Sequence, residues 1–163
     1  MWLTRTLCLI AVALSAMAAP AQAQALALDI RPHEAAATCG ARAPQIAVSV
    51  SGVTPKGILT VELYRPSARD FLRKASRIHR IRVPAEQGVQ TVCFDIEKPG
   101  TYAVAAYHDL NADRSLDRKW NQMPAEPFAL SNNRPLRLAM PNFDEAAFQV
   151  GYNGVSIRIE LQK

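Results

Sequence analysis

Oxygen-bearing side chains alternate through Asp109-Leu110-Asn111-Ala112-Asp113-Arg114-Ser115-Leu116-Asp117. Asp109, Asn111, Asp113, Ser115 and Asp117 hold positions 1, 3, 5, 7 and 9 of that stretch, the order in which a calcium loop wraps its ion. Ca2+ takes about six to eight hard oxygens, and alternate residues of a tight loop point inward to supply them. Two positions depart from the EF-hand form. Position 6, normally Gly, is Arg114, and position 12 is Trp120, so no Glu there closes the shell. A strand leads in, not a helix. The same residues also suit an Asx-turn loop whose carboxylates bond their own backbone without an ion. Bound Ca2+ would be structural, pinning the loop that leaves residues 101–108. A carboxylate pair for glycoside hydrolysis is the third use of these residues, but acids packed in one loop more commonly hold a cation or water.

A second group is cationic. Arg65, Arg69, Arg73, Lys74, Arg77, Arg80 and Arg82 crowd residues 65–82, with His79 among them and Asp70 as the one acid. Ser67 as cap, Asp70 three residues on, and the apolar Phe71, Leu72 and Ala75 predict a short helix here. On that helix Asp70 precedes Lys74 by four residues, and Arg69, Arg73 and Arg77 form a stripe. Such a stripe suits an envelope polyanion such as lipopolysaccharide or anionic lipid headgroups, and equally a plain solvated face. No aromatics are interleaved for base stacking, which argues against specific nucleic-acid binding. Other catalytic signals are weak. His33, His79 and His108 stand apart, no serine lies in a G-x-S-x-G elbow, and a non-enzymatic protein is expected.

The elements that must position these groups read as β-structure. Gln45–Val53 alternates Ile46, Val48 and Val50 against Ala47, Ser49 and Ser51, the period of a half-buried strand. After the turn Thr54-Pro55-Lys56-Gly57, Ile58–Tyr64 repeats the pattern, and the two are expected to form a hairpin. Further strands are expected over Ile78–Val83, Val89–Ile96, Thr101–His108, Leu136–Met140 and Val155–Leu161. About seven short strands separated by turns, with one short helix, predict an all-β antiparallel Ig-like sandwich.

With 163 residues, net charge +5 and 49% apolar residues, the chain is globular, neither disordered nor fibrous. Arg5, an uncharged run over Leu7–Ala19 and Ala21-Gln22-Ala23 predict a secretory signal peptide over 1–23, cleaved near Ala23 or Ala25. No later segment is long and apolar enough to span a bilayer. The expected product is one domain over 24–163, periplasmic or secreted. Cleavage removes Arg5 and Cys8, lowering the charge from +5 to +4 and leaving Cys39 and Cys93. In an oxidising compartment that pair reads as a disulfide, and two buried free thiols are the other possibility. An oxidised Cys93 leaves no thiolate nucleophile.

The stretch Pro99-Gly100-Thr101-Tyr102-Ala103-Val104 followed by His108-Asp109 through Asp117 resembles a bacterial exported family catalogued as domain of unknown function 2141. The likeness continues at Pro124, Glu126, Phe128, Ser131-Asn132-Asn133 and Pro141-Asn142-Phe143-Asp144-Glu145-Ala146. It implies a small sandwich similar to transthyretin-like modules and no established activity. The chain departs at Arg114, Gln122 and Ala129, where members usually carry glycine. The long Pro-containing segment Trp120–Asn133 then becomes a candidate ligand loop, with Trp120, Glu126, Phe128 and Asn132 as its contact residues; the plainer reading makes it a cover over one end of the core. The function expected is an exported binding or accessory module, stabilised by Ca2+, acting on a ligand or another exported protein. A polyanion-binding envelope protein is the alternative.

Overall fold

A computed structural model describes residues 21–163 except 43, 136 and 138. Most of the expected signal peptide therefore lies outside the described residues, and Ala23 and Ala25 fall in a short helix, α1 (Ala21–Ala27). Eight strands follow: β1 (Gln45–Val53), β2 (Ile58–Tyr64), β3 (Arg77–Pro84), β4 (Gly88–Asp95), β5 (Gly100–Asp109), β6 (Phe128–Leu130), β7 (Phe148–Val150) and β8 (Val155–Glu160), with α2 (Phe143–Ala146) before β7. One sheet has the order β4-β1-β8, the other β3-β2-β5-β6 with β7 also on β5. The fold is an all-β sandwich.

Alternation decides what each sheet buries. Ile46, Val48 and Val50 of β1 face Leu59, Val61 and Leu63 of β2 across a core completed by Ile81, Phe94, Val104 and Ile159. The opposite face of β1 presents Ala47, Ser49 and Ser51 and is partly solvated. In contrast, β2 and β5 are covered on both sides, and Tyr64, Ala103, Ala105, Tyr107, Phe128 and Leu130 belong to a second apolar cluster with Phe71 and Phe143. Loops and α2 thus form a third layer over the outer face of the larger sheet.

Four expectations are corrected. β1 and β2 are not a hairpin. The turn at 54–57 carries the chain across to the other sheet, and β1 pairs with β4 and, in parallel, with β8, so the sandwich is not wholly antiparallel. No strand forms over Leu136–Met140 at the described positions 137, 139 and 140; Pro135 and Pro141 bracket that segment, and β6 and β7 take the free edge of β5. Nor is there a helix at 67–75. Ser67 Oγ does accept from Asp70 N (3.0 Å), but Arg73 N then closes a four-residue turn on Asp70 O (2.9 Å). Leu72 turns left-handed (φ 62°), and the Ser76 hydroxyl takes the Asp70 carbonyl. Side-chain bonds of this kind compete with helix, and here they serve to insert Phe71 edge-on against Tyr64 and Phe143.

The 54–57 turn supports the acidic loop from beneath. His108 Nε2 bonds Lys56 O at 2.6 Å; a carbonyl only accepts, so the ring carries its proton there. Gly57 has φ 76°, and a Cβ on it would lie 2.0 Å from the Asp109 carbonyl oxygen. Gly57→Ala is therefore expected to destabilise by about 2 kcal/mol or more, combining strain and overpacking; chemical denaturation reads the loss, and an unchanged midpoint would contradict this packing.

Candidate functional site

The acidic loop leaves the end of β5. Asp109 is fully buried and turned into the loop, where its Oδ2 accepts from Arg114 N at 2.7 Å. Its Oδ1 has no hydrogen-bond partner among the described residues. Asn111 Oδ1 accepts from Asp113 N (3.1 Å) and Asp113 Oδ1 from Ser115 N (2.8 Å). Across the loop, Asn111 Nδ2 lies between Asp113 Oδ2 (3.2 Å) and Asp117 Oδ2 (3.1 Å). An amide donor thus sits between two carboxylates. Ser115 lends its N–H to the wrap.

Glu126, assigned from the sequence to a ligand loop, belongs here. Its carboxylate reaches back from before β6, with Oε1 accepting from Leu110 N (2.7 Å) and Oε2 from Asp117 N (3.2 Å). Burial, reinforced by the charges of Asp109 and Asp117, holds its carboxyl above the usual range despite those two bonds. Among the described residues no three His, Cys, Asp or Glu side chains are gathered at metal-holding distance.

Arg114 explains its own departure from glycine. Its backbone is left-handed (φ 71°), as the sixth position of such a loop requires. Its guanidinium leaves the loop to bind Glu34 Oε2 (3.1 Å) through Nη2 and Asp29 O (2.6 Å) through Nη1. Arg82, fully buried on the outer face of β3, also binds Glu34 and gives Nη2 to the Arg114 carbonyl at 2.7 Å. Burial pushes the Glu34 carboxyl up, but the Arg31 N–H and the charges of Arg82 and Arg114 outweigh it and hold it below the usual range. The network clips residues 29–34 onto the acidic loop. From the sequence Arg82 reads only as one of the cationic group over residues 65–82, and Glu34 carries no signal of its own, since the two are 48 residues apart and only the fold brings them together.

Beside this loop a cleft of about 450 Å³ opens on the outer face of the larger sheet. Glu62 lies on its floor, where Arg77 Nη1 (2.8 Å) and Arg80 Nε (2.6 Å) share Oε1 and the Tyr64 hydroxyl donates to Oε2. Burial and the Glu62 charge push the Tyr64 phenol far up, so it stays a donor. Phe128 lines the cleft, whereas Trp120 is 94% exposed and lines nothing in it. Asn132 gives its amide to Ala147 O (3.0 Å) and Glu145 O (3.3 Å), tying the end of β6 to α2. Arg69, Arg73 and Lys74 sit exposed on turns and Arg77 on β3, so the stripe expected for a polyanion has no helix to carry it. Cys39 and Cys93 form a disulfide.

A family model described as an uncharacterized protein conserved in bacteria (DUF2141) matches residues 48–158. The chain belongs to the DUF2141 family. No curated protein and no solved structure matches it. The matched span contains the acidic loop and the cleft floor. Asp29, Glu34 and Cys39 precede it, so the DUF2141 match does not extend to the N-terminal clip. Of the three positions where family glycine was expected, Arg114 and Gln122 have left-handed backbones (φ 71° and 66°). Ala129 instead packs into the inter-sheet core as part of β6, where a glycine-like backbone is not needed. No helix among the described residues is long and apolar enough to cross a membrane.

Proposed function

We propose that this DUF2141 protein is an exported, non-enzymatic binding or accessory module whose Asp109–Asp117 loop takes Ca2+. The single observation that carries the ion is Asp109, wholly buried with one carboxylate oxygen unpartnered among the described residues. Leaving such an atom bare costs about 1–3 kcal/mol, and a hard divalent cation is the group that repays it among further oxygens. Asn111, Asp113 and Asp117 would supply those oxygens, with Glu126 stationed behind the loop. The Glu126 carboxyl is raised mainly by burial, with a smaller part from the charges of Asp109 and Asp117, and a cation relieves that crowding. Export is supported by the leader-like sequence of the first 23 residues and by the disulfide.

The test is thermal unfolding of the chain from residue 24 with excess calcium and with chelator. At about a hundred times its dissociation constant the ion adds nearly 3 kcal/mol, a rise of several degrees. Asp113→Asn with Asp117→Asn, both at exposed positions, should abolish the rise while preserving the fold. Mg2+, which demands a tighter octahedron, should substitute poorly. An unchanged midpoint together with no heat of binding at millimolar calcium would leave the loop as a hydrogen-bonded turn and overturn the proposal.

A further inference from the structure

The cleft beside the loop combines apolar side chains with one-sided charge. Part of its wall is apolar: Leu72 from the 65–76 turns, Leu116 from the acidic loop, Met123 and Pro124 from the following segment, and Phe128 and Leu130 from β6. Its charge is one-sided, with six arginines and two glutamates among the lining residues. Glu62 neutralises one of Arg77 and Arg80, and both press on the same oxygen, so the floor keeps a surplus cation. Arg134 is answered by Glu145. Arg118, at the mouth, gives Nη1 only to the Gln122 carbonyl (2.9 Å) and has no carboxylate partner among the described residues. The volume, about 450 Å³, is that of a small-molecule site. Small Ala105 on β5 keeps the floor open, and the unbranched Met123 lets one wall adapt.

From these observations we infer that the cleft binds a small amphipathic anion, an apolar body bearing one carboxylate or phosphate that Arg118 receives, with the surplus charge of the Arg77–Arg80 pair adding to the attraction. Guanidinium forks match both head groups. The apolar body lies on Tyr107, Phe128 and Leu130. This rests on reading the protein as a binding module and not on the proposed calcium site.

Calorimetric titration with decyl phosphate and with decanoate, each below its micelle concentration, tests it; inorganic phosphate and decanol carry the head and the body alone. Both amphiphiles should bind at least about tenfold more tightly than either half, and Arg118→Glu should weaken them about tenfold or more. Ala105→Met, which fills the floor, should abolish binding of the body. Preference for decyl phosphate over decanoate marks a phosphate head, and the reverse a carboxylate. Equal binding of decanol and decyl phosphate, binding unaffected by Arg118→Glu, or no binding at all overturns the inference. Running each titration with calcium and with chelator separates the two readings: loss of the calcium shift defeats the loop ion alone, and failure of the amphiphiles in both conditions defeats the cleft alone.

Discussion

Arg82→Met should unfold more easily by about 3–5 kcal/mol at pH 7, the loss expected when one partner of a buried ion pair is removed. Arg82 is among the largest fully buried side chains of the protein, and Glu34 opposite it is 3% exposed. Methionine keeps most of the volume, so the loss comes from electrostatics more than from a cavity. What remains is a buried Glu34 carboxylate held by Arg114 and the Arg31 N–H, and an Arg114 carbonyl without its guanidinium. Removing both charges in Arg82→Met/Glu34→Gln should recover a large part of the deficit, because the penalty lies in the orphaned charge more than in the lost bond. Denaturant unfolding of the three proteins measures this; an Arg82→Met protein within about 1 kcal/mol of the parent would mean that the clip contributes little.

The pH dependence gives the same prediction a second handle. The Glu34 carboxyl is depressed in the folded protein, so its contribution is fully present above the unfolded carboxyl value, about 4.3, and is lost as pH falls through the folded value. The parent should therefore weaken in acid through this group. Arg82→Met has already lost its main cationic partner, and burial then favours the neutral carboxyl. The gap between the two proteins should be widest near neutrality and should narrow below about pH 4.

How far the sequence could be read follows from what alternation encodes. β1 and β2 begin and end where the period-two pattern predicts, because each buries a continuous apolar face. Alternation names the buried face and is silent about the neighbour across it, so a hairpin and a sheet-to-sheet crossing look alike at residues 54–57. The acidic loop was readable because its ligand-type residues are contiguous. Glu126 was readable as polar but not as a member, since only the return of the chain before β6 brings it to Leu110 and Asp117. The cleft was hidden for the same reason, its floor coming from β2, β3, β5 and β6. The predicted helix failed at Leu72, whose left-handed backbone trades helical bonds for the seating of Phe71, a tertiary gain that local propensity does not register.

The disulfide is the second large lever. Cys39 and Cys93 are 54 residues apart, and closing a loop of about that length stabilises by about 4 kcal/mol in the chain-entropy model. Cys39→Ala, at an exposed position, should lose most of that without opening a cavity, and reduction of the parent should match it. Ala37 N also bonds Cys93 O at 3.0 Å, so the bridge keeps the chain before β1 laid along the free edge of β4; releasing it uncovers backbone donors there and should promote association. Residues 29–39 are then held at two points, by Cys39 at one sheet and by Glu34 at the other. In the Arg82→Met background, Glu34 has lost its buried cationic partner, and once the disulfide is also gone it can leave for solvent instead of staying buried. The two losses should therefore sum to less than their separate values, with a coupling above about 0.5 kcal/mol. A four-protein cycle by denaturant unfolding measures that coupling, and strict additivity would mean the two fastenings hold independent pieces of the chain.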